Sequence, residues 1–238
     1  MRASIKSTVE FLAKDALTDM MNTPIKAVIF DKDGTLFDTE RVFMRAWRLA
    51  ADELNVPDIA TTSRECTGKT IPDIAIYWAA KYPDIPFGDY ITRRQNHFKR
   101  IIEEEGLPMK EGTLEILAYL KAAGIKIALA TSSYWEEAFD HLTKSHLMPY
   151  FDAIVTSDMV ENGKPAPDPY LLAVSKLGIE PAYCIGVEDS INGVKSIYAA
   201  GMRAIMIPDM IPPTEEVSKL WWMKCHSLTE LLEVLQET

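Results

Sequence analysis

Five short apolar runs, residues 26–30, 125–130, 153–156, 184–187 and 203–207, constrain this chain more than any other feature. None alternates apolar with polar residues. A strand covered on one face alternates, whereas a strand covered on both faces does not, so the runs predict a parallel sheet with helices on either side. Helix signals separate the last four runs. Ser133 and Glu136 form a capping box for a helix that runs toward His146. Asp168 followed by Pro169 reads as an N-cap with proline in the first turn, and Gly178 closes that helix. Ser190 caps the next helix, which ends at Gly201. The fold class that follows is α/β, a doubly wound, Rossmann-like parallel sheet.

Between the first two runs the pattern breaks. Helical periodicity covers residues 41–55, 71–81 and 90–104, and no strand signal intervenes. A crossover between parallel strands needs only about a dozen residues. This stretch therefore reads as an inserted α-helical cap, residues 39–109, with hinges near Asp38-Thr39 and Leu107-Pro108-Met109. The α/β core then comprises 23–38 and 110–238. Residues 1–22 form an N-terminal extension with helical character, and Met20 or Met21 is an alternative start. A length of 238 residues suits one core plus one insertion.

Composition excludes several classes. No apolar stretch approaches the roughly 20 residues of a membrane span, and the N-terminus lacks a secretory signal, so no membrane partner is expected. A formal net charge of −10 argues against nucleic acid as a partner. It leaves room for a small anionic metabolite, which needs only local positive charge. The cysteines, Cys66, Cys184 and Cys225, are odd in number and lack metal spacing, which fits reduced thiols in the cytoplasm.

In open α/β sheets, ligands bind beyond the carboxyl ends of the strands. Asp31 and Asp33 follow the first run, and Thr131, Ser132 and Ser133 follow the second. Lys164 lies beyond the third, and Glu188 and Asp189 follow the fourth. Parallel strands bring all of these to one rim. Four carboxylates there repel one another unless a cation sits among them, and hard oxygen donors without His or Cys favour Mg²⁺ over Zn²⁺.

These motifs, in this order, resemble those of the haloacid dehalogenase-like hydrolase superfamily. The similarity is greatest to its β-phosphoglucomutase and phosphatase branch, the subfamily IA type with a helical cap after the first strand. The resemblance runs from Ile25 onward and implies a Mg²⁺-dependent phosphatase acting on a small phosphorylated metabolite of the sugar- or polyol-phosphate kind. It implies that Asp31 attacks phosphorus to form an aspartyl-phosphate, and that Asp33 protonates the leaving oxygen and then activates water. Thr131, Ser132 and Lys164 bind the phosphoryl oxygens. The metal is held by Asp31, the Asp33 backbone carbonyl and Asp189, with Glu188 as a further or water-bridged ligand. Lys69, on the cap loop that selects substrate in this family, is a candidate substrate contact. A P-loop reading of Gly68-Lys69-Thr70 fails because Ser63 stands where the first glycine is required.

Two rivals remain open at this level. Mutases of the β-phosphoglucomutase type carry a cap histidine and a cap-loop lysine where this chain has Phe43 and Thr67, a departure that favours transfer to water. Receiver-like phospho-signalling modules also place acids, Thr and Lys at a sheet rim. Their acceptor follows the third strand, where Asp158 is a poor match. The four histidines are expected to lie away from the motifs. Arg93, Arg94, Lys99 and Arg100 are expected to form a solvated face, and the assembly to be a monomer or weak homodimer.

Overall fold

The computed structural model describes residues 23–66 and 71–237. Six parallel strands form one sheet: β1 (Ala27–Phe30), β2 (Lys126–Ala130), β3 (Ala153–Val155), β4 (Cys184–Glu188), β5 (Arg203–Met206) and β6 (Met223–Lys224). Their order is β3-β2-β1-β4-β5-β6. The chain thus winds outward from β1 in one direction and restarts at β4 in the other. The crevice between the ends of β1 and β4 is the switch point at which such sheets place ligands.

Alternate residues of each strand serve opposite faces. Val28 and Phe30 of β1 pack with Ile127, Leu129, Ile185 and Val187 against α5 (Thr113–Ala122), α6 (Trp135–Lys144) and α9 (Leu228–Glu237). Ala27 and Ile29 face α7 (Asp168–Leu177) and α8 (Ile191–Ala199) through Tyr170, Ala173, Val194 and Ile197. Both faces are covered, which is why the runs lack alternation. β6 escaped the sequence reading because two residues carry no periodicity.

Between β1 and α5 lie four helices: α1 (Thr39–Glu53), α2 (Ile59–Cys66), α3 (Ile71–Lys81) and α4 (Phe87–Glu105). Helical periodicity marks three of these, and α2 differs from that expectation because its eight residues offer only a thin apolar pattern. These helices bury an aromatic cluster of their own, with Trp47, Trp78, Tyr82 and Tyr90 at its centre. Their two connections to the core run side by side. Asp38 N–H donates to Pro108 O at 2.8 Å, Lys110 N–H donates to Leu36 O at 2.9 Å, and Phe37 bridges Met109. The proposed N-terminal extension, Lys69 and Thr67 lie outside the described residues.

Two local readings are corrected. Helix α6 begins at Trp135 with Tyr134 as its N-cap and no side-chain cap, because the Ser133 hydroxyl is engaged elsewhere. Asp168 is the first residue of α7 rather than its cap, and its carboxylate accepts a bond from Asn162 Nδ2 at 3.0 Å. Ser190 does cap α8, accepting from Gly193 N–H at 3.0 Å.

Candidate active site

The turn after β1 carries Asp31, Lys32, Asp33 and Gly34. Gly34 adopts φ +82°, a region open to glycine at little cost, and a Cβ there would overlap the Asp189 carboxylate. The tight turn thereby brings Asp31 and Asp33 beside the end of β4. Asp31 N–H continues the ladder, donating to Val187 O at 3.0 Å.

Lys164 reaches Asp31 from below. Its ammonium lies 2.5 Å from Asp31 Oδ1, 2.5 Å from Glu188 Oε1 and 2.8 Å from Ala130 O, with the side chain only 6% exposed. These partners occupy all three N–H donors. In isolation a loop lysine before a proline reads as solvated, and here it is a buried counter-ion. Glu188 is equally committed: Oε1 also accepts from Tyr170 OH at 3.1 Å, and Oε2 from Ser190 N–H at 3.1 Å and Ser190 Oγ at 2.9 Å. Helix α8 passes so near that a Cβ at Gly193 would overlap the Glu188 carboxylate.

Asp31, Glu188 and Asp189 present carboxylate oxygens that all lie within 4.8 Å of one another. The Lys164 ammonium pairs with two of them, Asp31 and Glu188. Burial, with Glu188 and Asp33 adding and Lys164 opposing, pushes Asp31 up to about 8. Burial, with Asp31 and Glu188, pushes Asp189 up to about 9. Burial also works against the charge on Lys164, but Asp31 and Glu188 outweigh it and hold its pKa above the usual lysine value. The cluster is short of positive charge, and its all-oxygen donors fit a hard divalent cation. The Asp33 carboxylate stands outside this group.

Thr131 is buried, and its Oγ1 accepts from Ser133 N–H at 3.0 Å, which leaves the hydroxyl proton to donate upward. Ser132 beside it is exposed. Asp33 is 37% exposed, and its Oδ2 accepts from Ser133 Oγ at 3.1 Å. Beneath it Lys32, fully buried, lies 3.3 Å from the same oxygen, 2.8 Å from Glu137 Oε1 and 3.1 Å from His141 Nδ1. The expectation that every histidine stands away from the motifs is therefore wrong. His141 packs under the turn that carries Asp31 and Asp33, its pKa held down by burial and by the neighbouring Lys32.

Above the rim a cleft of 230 Å³ separates the sheet from the helical insertion. Glu40, Phe43, Met44 and Trp47 of α1 line it from above, with Asp189 and Ile211 from below. Phe43 stacks on Phe98, ring centroids 4.4 Å apart. Arg94, expected on a solvated face, is half-buried with its guanidinium over the Phe43 and Trp47 rings at 5.7 and 5.8 Å. Arg93 and Lys99 do lie outside, paired with Glu53 and Glu103.

A doubly wound parallel sheet with clustered acids and a buried lysine at its switch point, covered by a helical insertion, defines an α/β protein of the Rossmann-like class with a candidate active site beneath its cap. A sequence profile of the haloacid dehalogenase-like hydrolases matches residues 25–201, more than half of the chain, and the chain belongs to that family. It is 35% identical over 184 residues to a phosphorylated carbohydrates phosphatase of Thermotoga maritima, covering 76% of this chain and 84% of that protein. Hexitol phosphatase B of Escherichia coli K12 is 33% identical over 216 residues, 89% of this chain and 97% of the relative. A solved HAD-family hydrolase from Deinococcus radiodurans R1, with bound phosphate and sodium, superposes with a TM-score of 0.78 at 28% identity, covering 91% of this chain and 97% of that one.

Proposed function

We propose that this enzyme is a Mg²⁺-dependent phosphatase that hydrolyses a small phosphorylated carbohydrate or polyol through an aspartyl-phosphate on Asp31. The observation that carries this reading is the position of Asp31, set at the switch point between Lys164 and the Glu188–Asp189 pair and beneath the cleft. The names of two relatives, a phosphorylated carbohydrates phosphatase and hexitol phosphatase B, support the substrate class, and a relative named β-phosphoglucomutase also handles a sugar phosphate by its name.

Asp31, Asp189 and the Asp33 carbonyl would hold the cation, with Glu188 orienting them, since both Glu188 oxygens already accept bonds within the protein. When bound, the cation supplies positive charge that lets one anion approach another. Lys164 screens Asp31 and exchanges one of its three bonds to reach a phosphoryl oxygen. Thr131 donates its hydroxyl proton to another phosphoryl oxygen. A carboxylate oxygen of Asp31 bonds to phosphorus as the ester P–O bond breaks, and Asp33 passes its proton to the departing oxygen. Water then attacks phosphorus, gives its proton to Asp33, and frees Asp31 and inorganic phosphate. Phe43, stacked on Phe98 where a mutase would carry a histidine, gives a second sugar hydroxyl no proton relay and favours transfer to water. The buried thiols of Cys184 and Cys225, outside any disulfide, suit a reducing compartment, the cytoplasm.

The test is phosphate release from a panel of sugar and polyol phosphates with Mg²⁺. Asp31→Asn is expected to lose about 10⁴-fold or more of kcat, and chelation with EDTA to abolish turnover until Mg²⁺ is restored. Isomerisation of a hexose phosphate without phosphate release would overturn the reading.

A further inference from the structure

Lys32 has no role in the steps above, yet it is completely buried between two catalytic candidates. Packing alone does not call for it, because an ammonium costs free energy to bury unless fully paired, and an apolar side chain of the same length would fill the space. Its pairing is complete. The ammonium is hydrogen-bonded to Glu137 Oε1 at 2.8 Å and His141 Nδ1 at 3.1 Å, and it forms an ion pair with Asp33 Oδ2 at 3.3 Å. Since Lys32 can only donate, Nδ1 of His141 must accept, which places the ring proton on Nε2. Glu137 and His141 stand four residues apart, one turn of α6, and so present to the same side. The single hydroxyl proton of Ser133 is within reach of Asp33 Oδ2 at 3.1 Å and Glu137 Oε1 at 3.0 Å, and it is donated to one of them at a time. Two tethers from the α6 end of the molecule therefore converge on one oxygen of Asp33.

We propose that Lys32, aided by Ser133, is a positioning residue that ties Asp33 Oδ2 to helix α6 and so presents the other carboxyl oxygen to the leaving group. The proposal rests on the phosphatase reading above. In that reaction the P–O bond to the leaving group breaks while the Asp33 proton moves to the same oxygen. An alkoxide needs this proton and a nitrophenolate scarcely does. Misplacing Asp33 thus penalises poor leaving groups selectively, whereas a general loosening of the site slows every ester alike.

The experiment compares Lys32→Met and Ser133→Ala with the parent enzyme by rapid quench. It measures first-turnover release of the leaving group from an alkyl phosphate, sorbitol 6-phosphate, and from p-nitrophenyl phosphate. Lys32→Met is expected to slow the alkyl ester about tenfold or more and the aryl ester less than about twofold, because general acid catalysis is worth about 10²–10⁴ in rate. Ser133→Ala should move the ratio the same way by a smaller factor, and it carries the test if Lys32→Met fails to give the parent circular dichroism. Equal slowing of both esters, or parent rates on both, overturns the positioning role. Phosphate release that survives Asp31→Asn would instead overturn the phosphatase reading beneath it.

Discussion

Lys164 and Arg45 make ion pairs of nearly the same length, the first at 2.5 Å to Asp31 and Glu188, the second at 2.6 Å to Glu105. Their settings differ completely. Lys164 is sealed at the rim of the sheet, while Arg45 and Glu105 stand half in water on the helical insertion. The same division runs through both regions. At the rim, Lys164 and Glu188 are buried and hydrogen-bonded on every side. In the insertion, charges such as Arg93–Glu53 and Lys81–Glu65 lie at or near the surface around an aromatic interior in which Trp78 stacks on Tyr90 at 4.1 Å. The rim stores electrostatic potential for a reaction. The insertion supplies a rigid apolar shelf, Phe43 and Trp47, over which a carbon skeleton can lie.

The largest test of this contrast is Lys164→Met. It leaves Asp31 and Glu188 without their ammonium and is expected to cost about 3–5 kcal/mol in urea denaturation of the metal-free protein, as breaking a buried pair does. A change below about 1 kcal/mol would show that Lys164 and its two carboxylates are solvated as a surface pair is. An intermediate test uses pH. Asp31 and Asp189 titrate near 3.9 when unfolded but near 8 and 9 in the fold. Between those limits the folded state holds protons that the unfolded state has released, so stability falls as pH rises. The melting temperature of metal-free protein should therefore drop from about pH 5 to about pH 9, and Mg²⁺ should raise it more at the alkaline end, where it need displace fewer protons. A Mg²⁺ shift independent of pH would detach the cation from these acids. The smallest effect is expected for Arg45→Ala, which should move the melting temperature by no more than about 2 °C, less still in high salt.

Much of the sheet was legible because burial on both faces writes itself into sequence as unbroken apolar runs such as 27–30 and 184–187. The residues the structure brings to the rim, Asp31, Thr131, Lys164, Glu188 and Asp189, were legible because strand ends are fixed once strands are. What stayed hidden depends on distant partners. Nothing near Lys32 in the chain marks it as buried, since Glu137 and His141 lie 105 and 109 residues away. Ser133 looked like a helix cap because the local pattern fits one, and a tertiary bond to Asp33 overrode it. Arg94 was hidden for a related reason: helical periodicity does not reveal that Phe43 and Trp47 offer it two ring faces.

Gly34 and Gly193 have a consequence for how such a chain can change through descent. Each lies where any side chain would occupy the space of an acid, Asp189 in one case and Glu188 in the other. A lineage can therefore redraw the shelf above the cleft one substitution at a time. At the rim it cannot, because enlarging either glycine displaces its carboxylate in the same step. Inheritance at positions 34 and 189, and at 188 and 193, is thus bound in pairs, while the shelf above is left to drift toward new substrates.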